Sequence, residues 1–89
     1  MEEKKWIALI CENRKDFLKQ IMTFPKGTIK KQSSTHFETS TKIYHRVYEW
    51  RHVHSITFDS AIFTDDAIWN PNLDMILEIL RPSLKVRKK

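Results

Sequence analysis

Two adjacent aspartates, Asp65 and Asp66, close a largely apolar run that begins at Ile56. Carboxylates at the exit of a buried strand are groups that hold a hard cation such as magnesium. Neighbouring strand residues point to opposite faces, so only one of the pair can reach a shared ion unless the strand has already ended. A second ligand would have to come from Glu12 or Asp59. The plainer reading is that the pair solubilises and caps the approach to a helix at Asn70. Four histidines, His36, His45, His52 and His54, are of the type that binds zinc, copper or nickel. Their spacing matches no metal-binding pattern, and Cys11, set inside the apolar run WIALIC, is a poor ligand and a poor nucleophile. The expectation is no cofactor, no catalytic residue and no metal, with Asp65 and Asp66 the one place where a cation could sit.

A second constellation interleaves aromatic rings with cations: Tyr44, Arg46, Tyr48, Trp50 and Arg51. On an extended segment Tyr44, Arg46 and Tyr48 share one face. Such a surface can stack bases and neutralise phosphates, or serve a protein interface, where Tyr, Trp and Arg are enriched; its rings can equally cover the sheet beneath a helix. The net charge of +5 is uneven, with Arg81, Lys85, Arg87, Lys88 and Lys89 at the C-terminal end and Lys26, Lys30 and Lys31 around the single glycine, Gly27. Both clusters suit an acidic partner or a phosphate backbone, or simply keep a small protein in solution. Because much of the charge lies in the terminal segment and not in a continuous stripe, a protein partner is favoured over nucleic acid. A metal-dependent nuclease ranks third.

These groups must be positioned by one small domain. With 89 residues, the chain buries only about 60 to 65% of the surface its unfolded form exposes. Hydrophobic residues at 40% and aromatics at 11% are enough to drive folding. A single cysteine permits no internal disulfide and fits a reducing, cytoplasmic setting. The N-terminal residues lack the apolar stretch of a signal peptide, and no run approaches the length of a membrane span.

Trp6 to Cys11, apolar without interruption, reads as a central parallel strand covered on both faces. Asn13 caps a helix over about residues 14 to 23, with Asp16 in its first turn and Phe17, Leu18, Ile21 and Met22 on one side. Phe24-Pro25-Lys26-Gly27 stops it. Residues 28 to 50 read as two or three short strands with turns near Ser33-Ser34 and Ser40-Thr41, the last strand having its middle near an edge. Residues 56 to 64 read as a further strand, with Ser60 to Thr64 parallel and next to Trp6 to Cys11. Asn70 and Pro71 then open a helix whose stripe is Leu73, Ile76, Leu77 and Leu80, ending at Pro82. The expected fold is α/β: one domain over residues 1 to 84 with a four- or five-stranded, partly parallel sheet and two packed helices, followed by a basic tail over 85 to 89.

In order and approximate spacing, CENRKDFLKQI, STHFETSTKIYHRVYEW and RHVHSITFDSAIFTDDA resemble the middle of the RecA-like ATPase core of phage large terminases and related motors, over about residues 6 to 67. The resemblance implies that Asp65 matches the magnesium-associated acid, Asp66 the position of the catalytic glutamate and Arg51 the neighbourhood of a basic turn. It also implies a phage-encoded protein. The family's phosphate loop is missing: Gly27-Thr28 lacks the preceding glycine and the lysine that such a loop requires. The reading that follows is a remnant that has lost its nucleotide site, non-enzymatic, acting as an accessory or host-takeover factor through protein contact, with nucleic-acid binding through its basic and aromatic surfaces as the alternative.

Overall fold

The apolar run after Lys4 forms β1 (Lys5–Ile10), and its alternation divides the core in two. Ala8 and Ile10 enter one cluster, while Ile7 and Leu9, with Cys11 just past the strand, enter another on the opposite face. The computed structural model describes residues 4–53 and 56–83. Its elements follow as α1 (Arg14–Thr23), β2 (Lys31–Gln32), β3 (His36–Glu38), β4 (Lys42–Val47), a 3-10 turn (Trp50–Val53), β5 (Ser60–Phe63), a second 3-10 turn (Ala67–Trp69) and α2 (Leu73–Ser83).

The five strands form one mixed sheet in the order β2-β3-β4-β1-β5. β1 lies between β4 and β5 and is parallel to both, with Ala8 opposite His45 on one side and Ala61 on the other. β2, β3 and β4 form an antiparallel meander. The α/β expectation, the central placing of β1 and its parallel pairing with β5 therefore hold. β4, expected near an edge, is internal, because β3 and β2 continue the sheet beyond it.

Helix α1 covers one face of the sheet. Phe17 is fully buried, and Ile21, Phe24 and Tyr48 pack around it with Phe37 and Tyr44. Asn13 caps the helix, its Oδ1 accepting the Asp16 N–H at 3.0 Å. The turn after Phe24 closes with Thr28 N–H on the Pro25 carbonyl at 3.1 Å, and Gly27 takes a φ of 83° that a side chain would resist. Leu18 and Met22, expected on the packed side, are 44% and 84% exposed, so the buried stripe of α1 is narrower than its apolar pattern.

Helix α2 covers the other face through Ile76 and Leu80, which pack with Val47, Val53 and Phe58. It runs to Ser83, past Pro82, where the expectation had ended it. Pro82 cannot donate to the carbonyl four residues before it, and the helix closes one residue later. The segment expected as one strand from Ile56 is regular only from Ser60; Phe58 forms an isolated bridge, and its ring is buried under α2.

Candidate functional site

In α/β sheets ligands bind beyond the carboxyl ends of parallel strands, where successive connections leave to opposite faces. β1 leads to α1 on one face, whereas β4 and β5 lead to elements packed on the other. The crevices on both sides of β1 are therefore the positions to inspect, and internal side chains fill both.

Asn70 occupies the β1/β4 crevice. Its Nδ2 donates to the Cys11 carbonyl at 2.8 Å and to the Tyr48 carbonyl at 2.9 Å, while its Oδ1 accepts the Asn72 N–H at 2.8 Å. One side chain thus ties the ends of two strands to the start of α2, and it is 5% exposed. Asp16 occupies the β1/β5 crevice. Its carboxylate accepts the Thr64 hydroxyl at 2.5 Å, the Glu12 N–H at 2.9 Å and the Gln20 amide at 3.2 Å. Burial opposes its ionisation, but these hydrogen bonds and the nearby Lys19 outweigh burial and hold the carboxyl below its ordinary range. Asp16 is a structural pin with its oxygens already engaged.

Outside that pin, a surface hollow is lined by Glu12, Asn13, Lys15, Asp16, Lys19 and Asp66. Asp66 faces Lys19 at 3.4 Å, both partly exposed, and Asp65 is exposed. β5 ends at Phe63, before the aspartates, so strand alternation does not constrain the pair. Asp59, one of the two carboxylates considered as their partner, lies at the opposite end of β1, accepting the Trp6 N–H at 2.8 Å. Among the described residues no group of three or more His, Cys, Asp or Glu is placed to hold a metal ion.

The histidines do not converge. His36 stacks on His45 across the β3/β4 pair, with ring centroids 6.4 Å apart, and His45 also borders Trp6 and Phe58. His52 sits by Tyr48, 4.6 Å away edge-on, and its Nδ1 accepts the Tyr48 N–H at 3.3 Å. Burial, then the nearby Arg46, pushes the His52 imidazole down to about 4. A proton on Nδ1 would confront the amide donor, which favours the same neutral form. His54 lies outside the described residues. Cys11 is buried, and burial with the neighbouring Asp16 pushes its thiol up to about 12.

The aromatic and cationic strip is divided. Tyr44 is buried, stacked on Phe37 at 5.0 Å and edge-on to Phe24. Tyr48 is half-buried beneath Arg46, whose guanidinium lies 5.6 Å from the ring centre. Trp50 is 41% exposed, and Arg51 is exposed with its Nε 3.3 Å from Glu49. The strip therefore presents an edge and not a stacking face. The remaining binding candidates, Lys85, Arg87, Lys88 and Lys89, lie outside the described residues.

Beyond α1, Met75 of α2 is 49% exposed, and four further exposed apolar groups fall close together in the chain. Ile62 and Phe63, on β5, are 43% and 50% exposed, and Ile68 and Trp69, in the following turn, are 71% and 70% exposed. Trp69 is noticeable in the sequence as an apolar anchor between Asp65-Asp66 and Asn70-Pro71. Ile62 and Phe63 are not, because an apolar strand reads as buried until its position in the sheet is known.

Fold and site together define a small α/β domain with a five-stranded mixed sheet, closed crevices and one apolar edge. No protein-family model, curated protein or solved structure matches the chain. No helix among the described residues is long and apolar enough to cross a membrane.

Proposed function

We propose that this protein is a non-enzymatic binding module that works through protein contact, made by β5 and the turn that follows it. The observation that carries the reading is the exposure of Ile62, Phe63, Ile68 and Trp69 within eight consecutive residues. Large apolar groups held in water at one place mark interaction surfaces, and an exposed tryptophan is the residue type that most often anchors one. Filled crevices beside β1 and the lack of a glycine-rich phosphate loop favour binding over nucleotide chemistry. The likeness to the terminase ATPase core supports a phage-encoded accessory or host-takeover role, and the lone buried thiol fits the cytoplasm.

Nucleic acid is the second reading, favoured by the net charge of +5 and by the exposed Trp50 and Arg51. It ranks lower because Tyr44 is buried and because the described cations are scattered over α1 (Arg14, Lys15, Lys19), the β2 end (Lys26, Lys30, Lys31), the starts of β1 and β4 (Lys4, Lys5, Lys42), β4 and the turn after it (Arg46, Arg51) and α2 (Arg81).

The test compares native protein with an Ile68→Ser/Trp69→Ala variant as bait in extract from its source cells, with and without nuclease. The expected result is a stoichiometric protein partner that survives nuclease and is lost with the variant, whose circular dichroism is unchanged. Retention by the variant, or nuclease sensitivity with steep loss of binding between about 50 and 200 mM salt, overturns the reading.

A further inference from the structure

Three strands begin at one end of the sheet, and each begins with a lysine. β1 starts with Lys5 directly opposite Lys42 of β4. β2 runs parallel to β4, because each is antiparallel to β3, so Lys31 lies at the same end, opposite Glu38. Lys30 comes with it: its N–H donates to the Glu38 carbonyl at 2.7 Å, and its Nζ to the Gly27 carbonyl at 2.9 Å. That second bond holds the Lys30 ammonium at the turn that carries Lys26. Lys4 stands beside the start of β1. These residues belong to separate elements, yet the topology sets them along one rim, three strand spacings or about 14 Å from β1 to β2.

Little negative charge offsets this rim. Glu38 is the one acid within β1 to β4, and it is engaged by Lys4 at 3.0 Å and by His36 at 3.4 Å. No acid occurs from Phe17 to Phe37, the stretch that supplies most of α1, the turn after it and β2. Lys5, Lys26, Lys31 and Lys42 are exposed and make no ion pair among the described residues. The opposite end of the sheet carries Glu12, Asp16, Glu49, Asp65 and Asp66, so a polyanion is drawn to one end only. Two features favour nucleic acid among polyanions. Every cation on the rim is a lysine, a residue depleted from protein interfaces but suited to phosphate as a point charge. None of the large exposed apolar groups lies in residues 4–16 or 24–49, so the rim has no apolar centre for a protein to bury.

We propose that this lysine rim is a sequence-independent contact for the phosphate backbone of a nucleic acid, separate from the apolar surface over residues 62–69. One strand presents a phosphate about every 3.4 Å along its axis, so the rim meets about four. So few contacts give a weak, salt-sensitive grip, which adds to protein binding at the other end of the sheet and does not replace it.

The probe is a fluorescein-labelled single strand of about 20 nucleotides, longer than a typical single-strand site. The full chain is titrated into it, and anisotropy is read between about 50 and 200 mM salt. Each contact to a single strand contributes about 0.7 to the slope of log K against log salt, so Lys5→Gln/Lys42→Gln should lower the slope by about 1.4. Lys26→Gln/Lys30→Gln should lower it as much, and it reads the rim even if the β1/β4 pair perturbs folding. Lys15→Gln/Lys19→Gln removes the same charge from α1 near the opposite end and should leave the slope within about 0.3 of native. The drop for Lys5→Gln/Lys42→Gln should persist when Lys85, Arg87, Lys88 and Lys89 are also changed to glutamine. The proposal is overturned by no saturation up to about 1 mM protein at the lowest salt, or by equal slope changes for rim and α1 pairs. It is equally overturned if changing the four C-terminal cations abolishes binding. A polyglutamate peptide of the same length that binds as tightly as the oligonucleotide would assign the rim to an acidic protein, with the same consequence.

Discussion

Replacing Asn70 tests whether one amide side chain holds the carboxyl end of the sheet together. In Asn70→Ala the Cys11 and Tyr48 carbonyls lose the donors they have at 2.8 and 2.9 Å, and the Asn72 N–H loses its cap. A buried group left without its partner costs about 1–3 kcal/mol and a lost cap about 1 kcal/mol. The contributions share one side chain and do not simply add, so the expected loss is about 2–4 kcal/mol. For a domain of this size that lowers the melting temperature by about 10–25 °C. Urea unfolding followed by circular dichroism should show a lower midpoint at unchanged slope. Asn70→Asp sharpens the test, because it keeps the oxygen that caps α2 but turns an anion toward two carbonyl oxygens. At pH 7 it should be less stable than Asn70→Ala, and the difference should shrink in acid as the new carboxyl takes up a proton and can donate. An Asn70→Ala loss below about 1 kcal/mol, or Asn70→Asp more stable than Asn70→Ala at pH 7, would refute the bridging role.

The remaining predictions concern titrating groups and the thiol. His52 should titrate near 4 by NMR, and because its folded value lies below the ordinary 6.5, stability should fall as pH drops from about 6.5 toward 4 and lose nothing further through this group below that. A midpoint above 6 would show that Tyr48 N–H does not hold Nδ1. Thr64→Val should destabilise by about 1.5–3 kcal/mol at neutral pH, the range for a hydrogen bond to a charged group. Asp16 is held below its ordinary 3.8, so its contribution is present above that value and is lost as pH falls through the folded one. The gap between Thr64→Val and native protein should therefore close in strong acid, and a gap independent of pH would separate Thr64 from the carboxylate. Cys11, with its thiol near 12, should resist iodoacetamide in the native state and react only on unfolding, so that labelling tracks the urea transition. Rapid native labelling would mean that the end of β1 opens.

Local signals carried much of the fold. An apolar run with no polar alternation can be satisfied only by cover on both faces, and Trp6 to Cys11 announced the central strand in that way. Asn13 and Asp16 located the start of α1 because capping chemistry lies within four residues. Information that depends on the rest of the chain was not legible. Leu18 and Met22 repeat with helical spacing, but whether they are covered depends on how wide the sheet is beneath α1. Tyr44 alternates with Arg46 and looks available until Phe24 and Phe37 close over it.

The same division separates the candidate sites. Asn70 was readable as a cap, but its two longer bonds reach 22 and 59 residues back along the chain, beyond any spacing argument. Asp16 was readable as a first-turn acid, yet its bond to Thr64 is what closes the crevice beside β5. Once those two side chains occupy the positions where α/β sheets usually hold ligands, the carboxyl ends have little left to offer. Ser60 to Phe63 then differs from β1 in one physical respect: both strands are apolar, but among the described residues only β1 has a neighbour on each side. An uncharged strand at an open edge keeps backbone donors and acceptors that water satisfies in the free protein and that another strand can satisfy as well.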